Sequence, residues 1–251
     1  VSGFFDPPVA LASLSGEADV AWARTGASYA GAAFLGGIAL DDASRAAARE
    51  LVARDRSEFL PEDPFSWIDA QLGELADAPI RAGVNVRATS PAPVGEAAAI
   101  CARHDAILEV NAHCRQEALC AVGCGETLLA DTDRLREYVR AAAETDATVS
   151  VKVRAEVDGV DLPTTARAVV DAGADVVHVD AMDDEPAIAA VVDAAPEAFV
   201  VANNEVRDEA SVREYFEYGA DAVSVGRPST DPVVLERVHD AVLAERDPEA
   251  P

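Results

Sequence analysis

Lysine is almost missing from this chain: Lys152 is the only one, and every other basic side chain is an arginine. Basic residues are scarce altogether, 20 Lys plus Arg against 46 Asp plus Glu, giving a formal net charge of -26 at neutral pH. That deficit excludes a broad basic face of the kind that grips a polyanion. No uninterrupted apolar run reaches the ~18 residues of a membrane helix. Val1 to Pro8 lack the basic flank and apolar stretch of a signal peptide, so a soluble, cytoplasmic protein is expected, with no membrane partner. Cysteine is also sparse. Four of them, at 101, 114, 120 and 124, are too few and too clustered to staple the chain, and they are expected to be reduced.

Half of the residues are nevertheless hydrophobic, mostly Ala and Val, so a core can be buried and disorder is excluded. An acid-rich, lysine-poor surface suits a protein kept soluble in concentrated salt, where carboxylates hold water and their repulsion is screened. A halophilic cytoplasm follows as an expectation.

Short β-branched or small apolar runs alternate with longer Ala/Arg/Glu segments of helical character. The expected strands are Val9–Ala12, Ser28–Phe34, Ile80–Val86, Ala106–Asn111, Thr148–Arg154, Asp175–Asp180, Ala198–Asn203 and Ala222–Gly226. Helices are expected over Asp42–Arg54, Pro93–Arg103, Thr132–Glu144, Leu162–Ala172, Glu185–Ala194, Glu209–Tyr218 and Pro232–Arg246. Asp55–Asp69 reads as a long irregular insertion interrupted by Pro61 and Pro64. Strict alternation implies parallel pairing with right-handed crossovers. Eight units in 251 residues predict an α/β protein, a (β/α)8 TIM barrel forming a single domain over 1–251, with a doubly wound open sheet as the alternative.

In such a barrel the functional groups gather at the C-terminal ends of the strands, and the loops after the last two strands commonly bind phosphate. This filter selects Asn85, Asn111 to Arg115, Lys152 and Arg154, His178, Asn203 to Glu205, and Gly226 with Arg227. In Val-Lys152-Val-Arg154 the alternation points both cations one way, into the barrel mouth. A buried cation needs an anion, and two readings are open for Lys152: a bound ligand, or neutralisation by a carboxylate such as Glu109. Gly226 lets backbone approach an oxyanion and Arg227 supplies a forked donor; the alternative is a turn with a surface arginine. Cys114, in a strand-end loop, can act as proton donor or nucleophile. Cys101 reads as core packing. The spacing of His113, Cys114, Cys120 and Cys124 fits no standard zinc or iron–sulfur pattern, so no metal is expected.

Asn111-Ala-His113-Cys114-Arg115, Val-Lys152-Val-Arg154, Asn203-Asn204-Glu205 and Gly226-Arg227 together resemble the flavin-dependent tRNA-dihydrouridine synthases, and more closely the shorter archaeal barrel proteins related to them. The similarity runs from about Leu11 to Pro228. It implies FMN as cofactor, with NADPH or NADH as electron donor, and reduction of a C=C bond in a uracil-like ring. By resemblance, Cys114 stands where the family's proton-donating cysteine lies. Ser13 and Ser15 fall in a segment that resembles the family's loop under the flavin ring. Asn85, Lys152, His178, Asn203, Asn204, Glu205, Gly226 and Arg227 fall on flavin-contacting positions, and Asn111, His113, Arg115 and Arg154 on the substrate side. His113 replaces the glycine and Arg115 the proline that flank the family's cysteine, and Asn204 replaces a glycine at the phosphate turn. Only about one helix follows Pro228, so the family's helical C-terminal RNA-binding domain has no expected counterpart. The implied partner is tRNA or a small pyrimidine-like substrate, and a homo-oligomer is compatible with both. The other readings are a flavin enzyme acting on a free pyrimidine and a non-catalytic phosphate- or nucleotide-binding barrel.

Overall fold

A computed structural model describes residues 3–246. Eight parallel strands close in sequence order into a barrel. They are β1 (Val9–Leu11), β2 (Ala32–Ala39), β3 (Arg81–Arg87), β4 (Ile107–Asn111), β5 (Thr148–Arg154), β6 (Val176–Asp180), β7 (Phe199–Asn203) and β8 (Ala222–Val225). The helices are α1 (Val20–Gly26), α2 (Asp42–Val52), α3 (Pro64–Leu75), α4 (Pro91–Arg103), α5 (Glu117–Ala121), α6 (Glu126–Leu129), α7 (Thr132–Ala143), α8 (Leu162–Asp171), α9 (Ala187–Ala194), α10 (Glu209–Glu217) and α11 (Pro232–Arg246). Part of the acid surplus is spent on starting them. Asp19, Asp41, Asp63, Asp131, Asp161 and Asp208 are N-caps whose carboxylates accept backbone N–H groups of the first turn, each stabilising its helix by about 0.5–2 kcal/mol.

The two-residue period of the strands sorts their side chains. Val149, Val151 and Val153 of β5, Val177 and Val179 of β6, and Val223 and Val225 of β8 are buried in the layer between sheet and helices. Each contributes about 1.5–3 kcal/mol through burial. The intervening residues point inward. At the N-terminal end the interior is apolar, filled by Phe5, Ala10, Ala32, Phe34, Ile107, Val176, Phe199, Val201 and Ala222. Towards the C-terminal end it turns polar, with Asn85, Glu109, Ser150, His178 and Ser224 all buried.

Two expectations are corrected. The second strand is Ala32–Ala39 rather than Ser28–Phe34. Its register shifts between Gly36 and Ile38, and a Cβ on Gly37 would lie 2.6 Å from Asn85 Oδ1 and 3.1 Å from Arg87 Cζ. The glycines that hid the strand leave room for those side chains. The insertion is irregular only to Asp63, because Pro64 is the first residue of α3 and Asp63 caps it. Helix α3 packs on α1 and α4 as an outer barrel helix, whereas α2 packs on α5. Ala47, Leu51, Ala118, Leu119, Cys114 and Cys124 form a separate small core between these elements, a cap on one side of the mouth.

Candidate active site

A buried carboxylate organises the polar layer. Glu109 accepts from Asn85 Nδ2 at 2.8 Å, from Ser150 Oγ at 3.1 Å and from His178 Nδ1 at 2.7 Å. Burial alone would push its carboxyl up, but His178, Lys152 and Asn85 outweigh that and hold it below the ordinary glutamate value. The carboxylate accepts only, so it fixes the His178 proton on Nδ1, and Nε2 then accepts from Ser224 Oγ at 2.7 Å. Burial and the Lys152 charge keep this histidine below its usual value despite Glu109. The network also reaches the mouth. Asn111 Nδ2 donates to Asn85 Oδ1 at 2.8 Å, and Asn111 Oδ1 accepts from the backbone N–H groups of Cys114 at 3.2 Å and His113 at 3.4 Å. The cysteine loop is thus tied by hydrogen bonds to the charged centre of the barrel.

Lys152 rises one inward step beyond Ser150. It is 2% exposed, and its side chain makes no hydrogen bond or ion pair among the described residues. It lines a cavity of about 340 Å³ together with Ser13, His113, Asp180, Asn203, Asn204, Glu205, Gly226 and Arg227. Burial lowers its pKa against the opposing pull of Glu109 and Asp180. A second cavity, of about 520 Å³, shares Ser13, Leu14, His113 and Arg227 with the first and extends past Ser15 and Asn111 to Arg56 and Arg87.

Of the residues predicted from sequence, Ser13, Ser15, Asn111, His113, Lys152, Asn203, Asn204, Glu205, Gly226 and Arg227 line one or both cavities. Asn85, Cys114, Arg115, Arg154 and His178 line neither. Asn85 and His178 belong to the Glu109 network below. Arg154 is buried and meets Glu126 at 3.4 Å, and Arg115 is exposed. Asn204 takes φ 112° and donates through Nδ2 to Met182 O, while Asn203 Nδ2 donates to Ser224 O at 3.0 Å, so both amides tie strand ends together.

Cys114 is 6% exposed inside the cap core. Its thiol packs against Gly125, where a Cβ would lie 2.7 Å from Sγ and 2.0 Å from the Cys114 carbonyl oxygen. Burial pushes the thiol up to about 11, with Arg87 opposing. Its neighbour His113 faces both cavities. Burial and the cations Lys152, Arg87 and Arg154 hold the His113 imidazole well below its ordinary value, and its Nδ1 has no partner among the described residues. Burial likewise pushes Cys101 and Cys124 up to about 12, and only Cys120 is partly exposed. Titration of the native protein with a thiol reagent at mildly alkaline pH is therefore expected to count one reactive sulfur, rising to all four after unfolding. Three equivalents in the native state would mean that the cap core, which buries Cys114 and Cys124, is open.

Sequence reasoning missed Arg87 and its partner Glu58. Arg87 Nη1 meets Glu58 at 2.6 Å with both side chains buried, and Nη2 donates to Ser15. The signal was present: Arg87 follows Asn85 by two residues and so shares its inward face. Glu58 lies in an irregular segment, where no period announces a contact.

The dihydrouridine synthase (Dus) family matches residues 71–251. A probable tRNA-dihydrouridine synthase of Rhodobacter capsulatus is 29% identical, the match covering 98% of this chain and 75% of that protein. An uncharacterized protein of Methanocaldococcus jannaschii is 28% identical over 59% of this chain, and the match spans 58% of that relative's length. Among solved structures, a ligand-free DHODH from Eimeria tenella superposes with a TM-score of 0.69 at 14% identity, covering 98% of this chain and 85% of that one. The tryptophan synthase complex of Pyrococcus furiosus contains a chain that superposes with a TM-score of 0.56 at 13% identity, covering 93% of this chain and 94% of that one. These structural likenesses concern the barrel itself.

Proposed function

The chain belongs to the dihydrouridine synthase family of flavin-dependent oxidoreductases, and from that premise we propose that it uses FMN to reduce a C=C bond in a uracil-like ring, with NADPH or NADH as the electron source. One observation carries the reading. The only lysine of the chain sits buried near the end of β5, its side chain without a partner among the described residues, and faces a cavity at the barrel mouth. An orphaned cation in that position fits the pyrimidine edge of an isoalloxazine ring. The other wall residues fit the rest of the cofactor. Arg227 is exposed and unpaired among the described residues, beside the open backbone of Gly226, as a ribityl phosphate requires.

When bound, the flavin supplies the hydride. Lys152 puts positive charge where negative charge develops on reduction, in a site shielded from water. Arg227 and the turn at Asn203–Glu205 hold the phosphate end. Asn111 fixes the loop that carries the proton source. We assign that role to Cys114, whose high pKa keeps the proton on sulfur until the ring accepts it. Because the thiol packs among Ala47, Leu51 and Leu119, substrate entry must displace the cap for the proton to reach the ring.

The test is direct. After incubation with FMN and desalting, the protein is expected to retain visible flavin absorption. Cys114→Ala should retain it too and accept electrons from NADPH or NADH, yet lose reduction of a uracil ring offered as an unmodified tRNA transcript or as uridine monophosphate. A wild-type protein that keeps no flavin absorption overturns the proposal.

A further inference from the structure

The second cavity is unlike the rest of this surface. Acids outnumber bases 46 to 20 across the chain, and arginines elsewhere are commonly matched to carboxylates, as Arg81 is to Asp105, Arg103 to Asp69 and Arg213 to Glu245. Here Arg56 makes no ion pair among the described residues, and Arg227, assigned above to the cofactor phosphate, stands on the wall that this cavity shares with the first. Arg87 stands on the wall of that cavity, 3% exposed and paired with Glu58, with its Nε unpartnered among the described residues. An unpaired guanidinium such as that of Arg56 is ready to meet an anion, and its fork of N–H donors suits phosphate. The rest of the wall is mostly polar, with hydroxyls from Ser15, Ser57 and Thr230, the His113 imidazole, and Leu14 as its apolar side chain. Such a lining suits a sugar phosphate and gives an apolar ligand little to bury against.

We infer that this cavity binds the phosphate and sugar of a single pyrimidine mononucleotide, with the base directed past His113 towards the first cavity. The acids set the limit of one. Glu17 and Asp55 line the same cavity, so a nucleic-acid strand continuing outward would carry its next phosphates towards carboxylates on a chain of net charge -26. The choice of a uracil ring rests on the proposed function, but binding of the phosphate does not.

Calorimetry with uridine monophosphate, uridine and an unmodified tRNA transcript tests this, on the protein with and without FMN. Uridine monophosphate is expected to bind about tenfold or more tightly than uridine, the margin that a charge-assisted contact supplies. Arg56→Gln should remove that margin while leaving uridine affinity and flavin retention unchanged. Arg56 is exposed and its side chain makes no hydrogen bond or ion pair among the described residues, so the variant keeps the fold. Arg140→Gln, on the outer helix α7, lowers net charge equally and should change nothing. Equal affinity for uridine and its monophosphate overturns the inference, as does a transcript that binds more tightly than the nucleotide. A phosphate margin lost in Arg56→Gln, in a protein that retains no flavin, would sustain this site and refute the flavin reading alone.

Discussion

Glu109→Ala is expected to lower the unfolding free energy by about 3–5 kcal/mol, the cost of removing one partner from a buried charged network. The carboxylate is the shared acceptor for Asn85, Ser150 and His178. Without it three buried donors have no partner, at about 1–3 kcal/mol each where water does not enter. Lys152 also loses a charge that favours its protonated form. Denaturant titration at neutral pH measures the deficit, and a loss below about 0.5 kcal/mol would mean that the network holds nothing together. The deficit also has a pH signature. The folded-state pKa of Glu109 is depressed below its ordinary value of 4.5, so its contribution is fully present above that value and is lost as pH falls through the folded one. The gap between wild type and variant should therefore close under acid.

Lys152→Met should show the opposite pattern. It removes an ammonium whose burial already costs enough to pull its pKa down, and methionine fills a similar volume, so stability should be preserved. Function should not. If the ammonium stabilises charge on the reduced cofactor, its removal is expected to slow flavin reduction by NADPH or NADH by about 10²–10³-fold, the usual consequence of deleting one preorganised electrostatic donor. The flavin midpoint potential should fall as well, because the reduced form loses more stabilisation than the oxidised form. Stopped-flow absorbance and a redox titration read both effects. If Lys152→Met destabilises the barrel as much as Glu109→Ala and leaves both flavin readouts unchanged, Lys152 is a structural partner of Glu109.

Much of the barrel was legible because strands repeat every two residues. Val-Lys152-Val-Arg154 marks one face for the helix layer and the other for the interior, and β5 begins and ends where that pattern does. Where the local signal weakened, the reading failed. Gly36 and Gly37 carry no side chain to mark a face, so β2 was placed too early. Pro64 reads as a breaker in isolation, but at the first position of a helix it opens α3.

The site divides along the same line. Lys152, Asn111, His113 and Arg227 were found because strand-end position identifies residues at the mouth. The burial of Cys114 was not legible, since Ala47 and Leu51 reach it from α2, more than 60 residues earlier in the chain.

The sequence by itself determined that eight strand–helix units alternate, that their inward positions turn from apolar to polar towards the C-terminal end, and that one lysine stands among them. Those properties repeat within a few residues, so a local reading captures them. Only the tertiary structure decided which inward residues meet. Barrel closure and stagger bring His178 to Glu109 across 69 residues of chain and to Ser224 across 46. The register of each strand on its neighbour sets those distances, and no single segment encodes it.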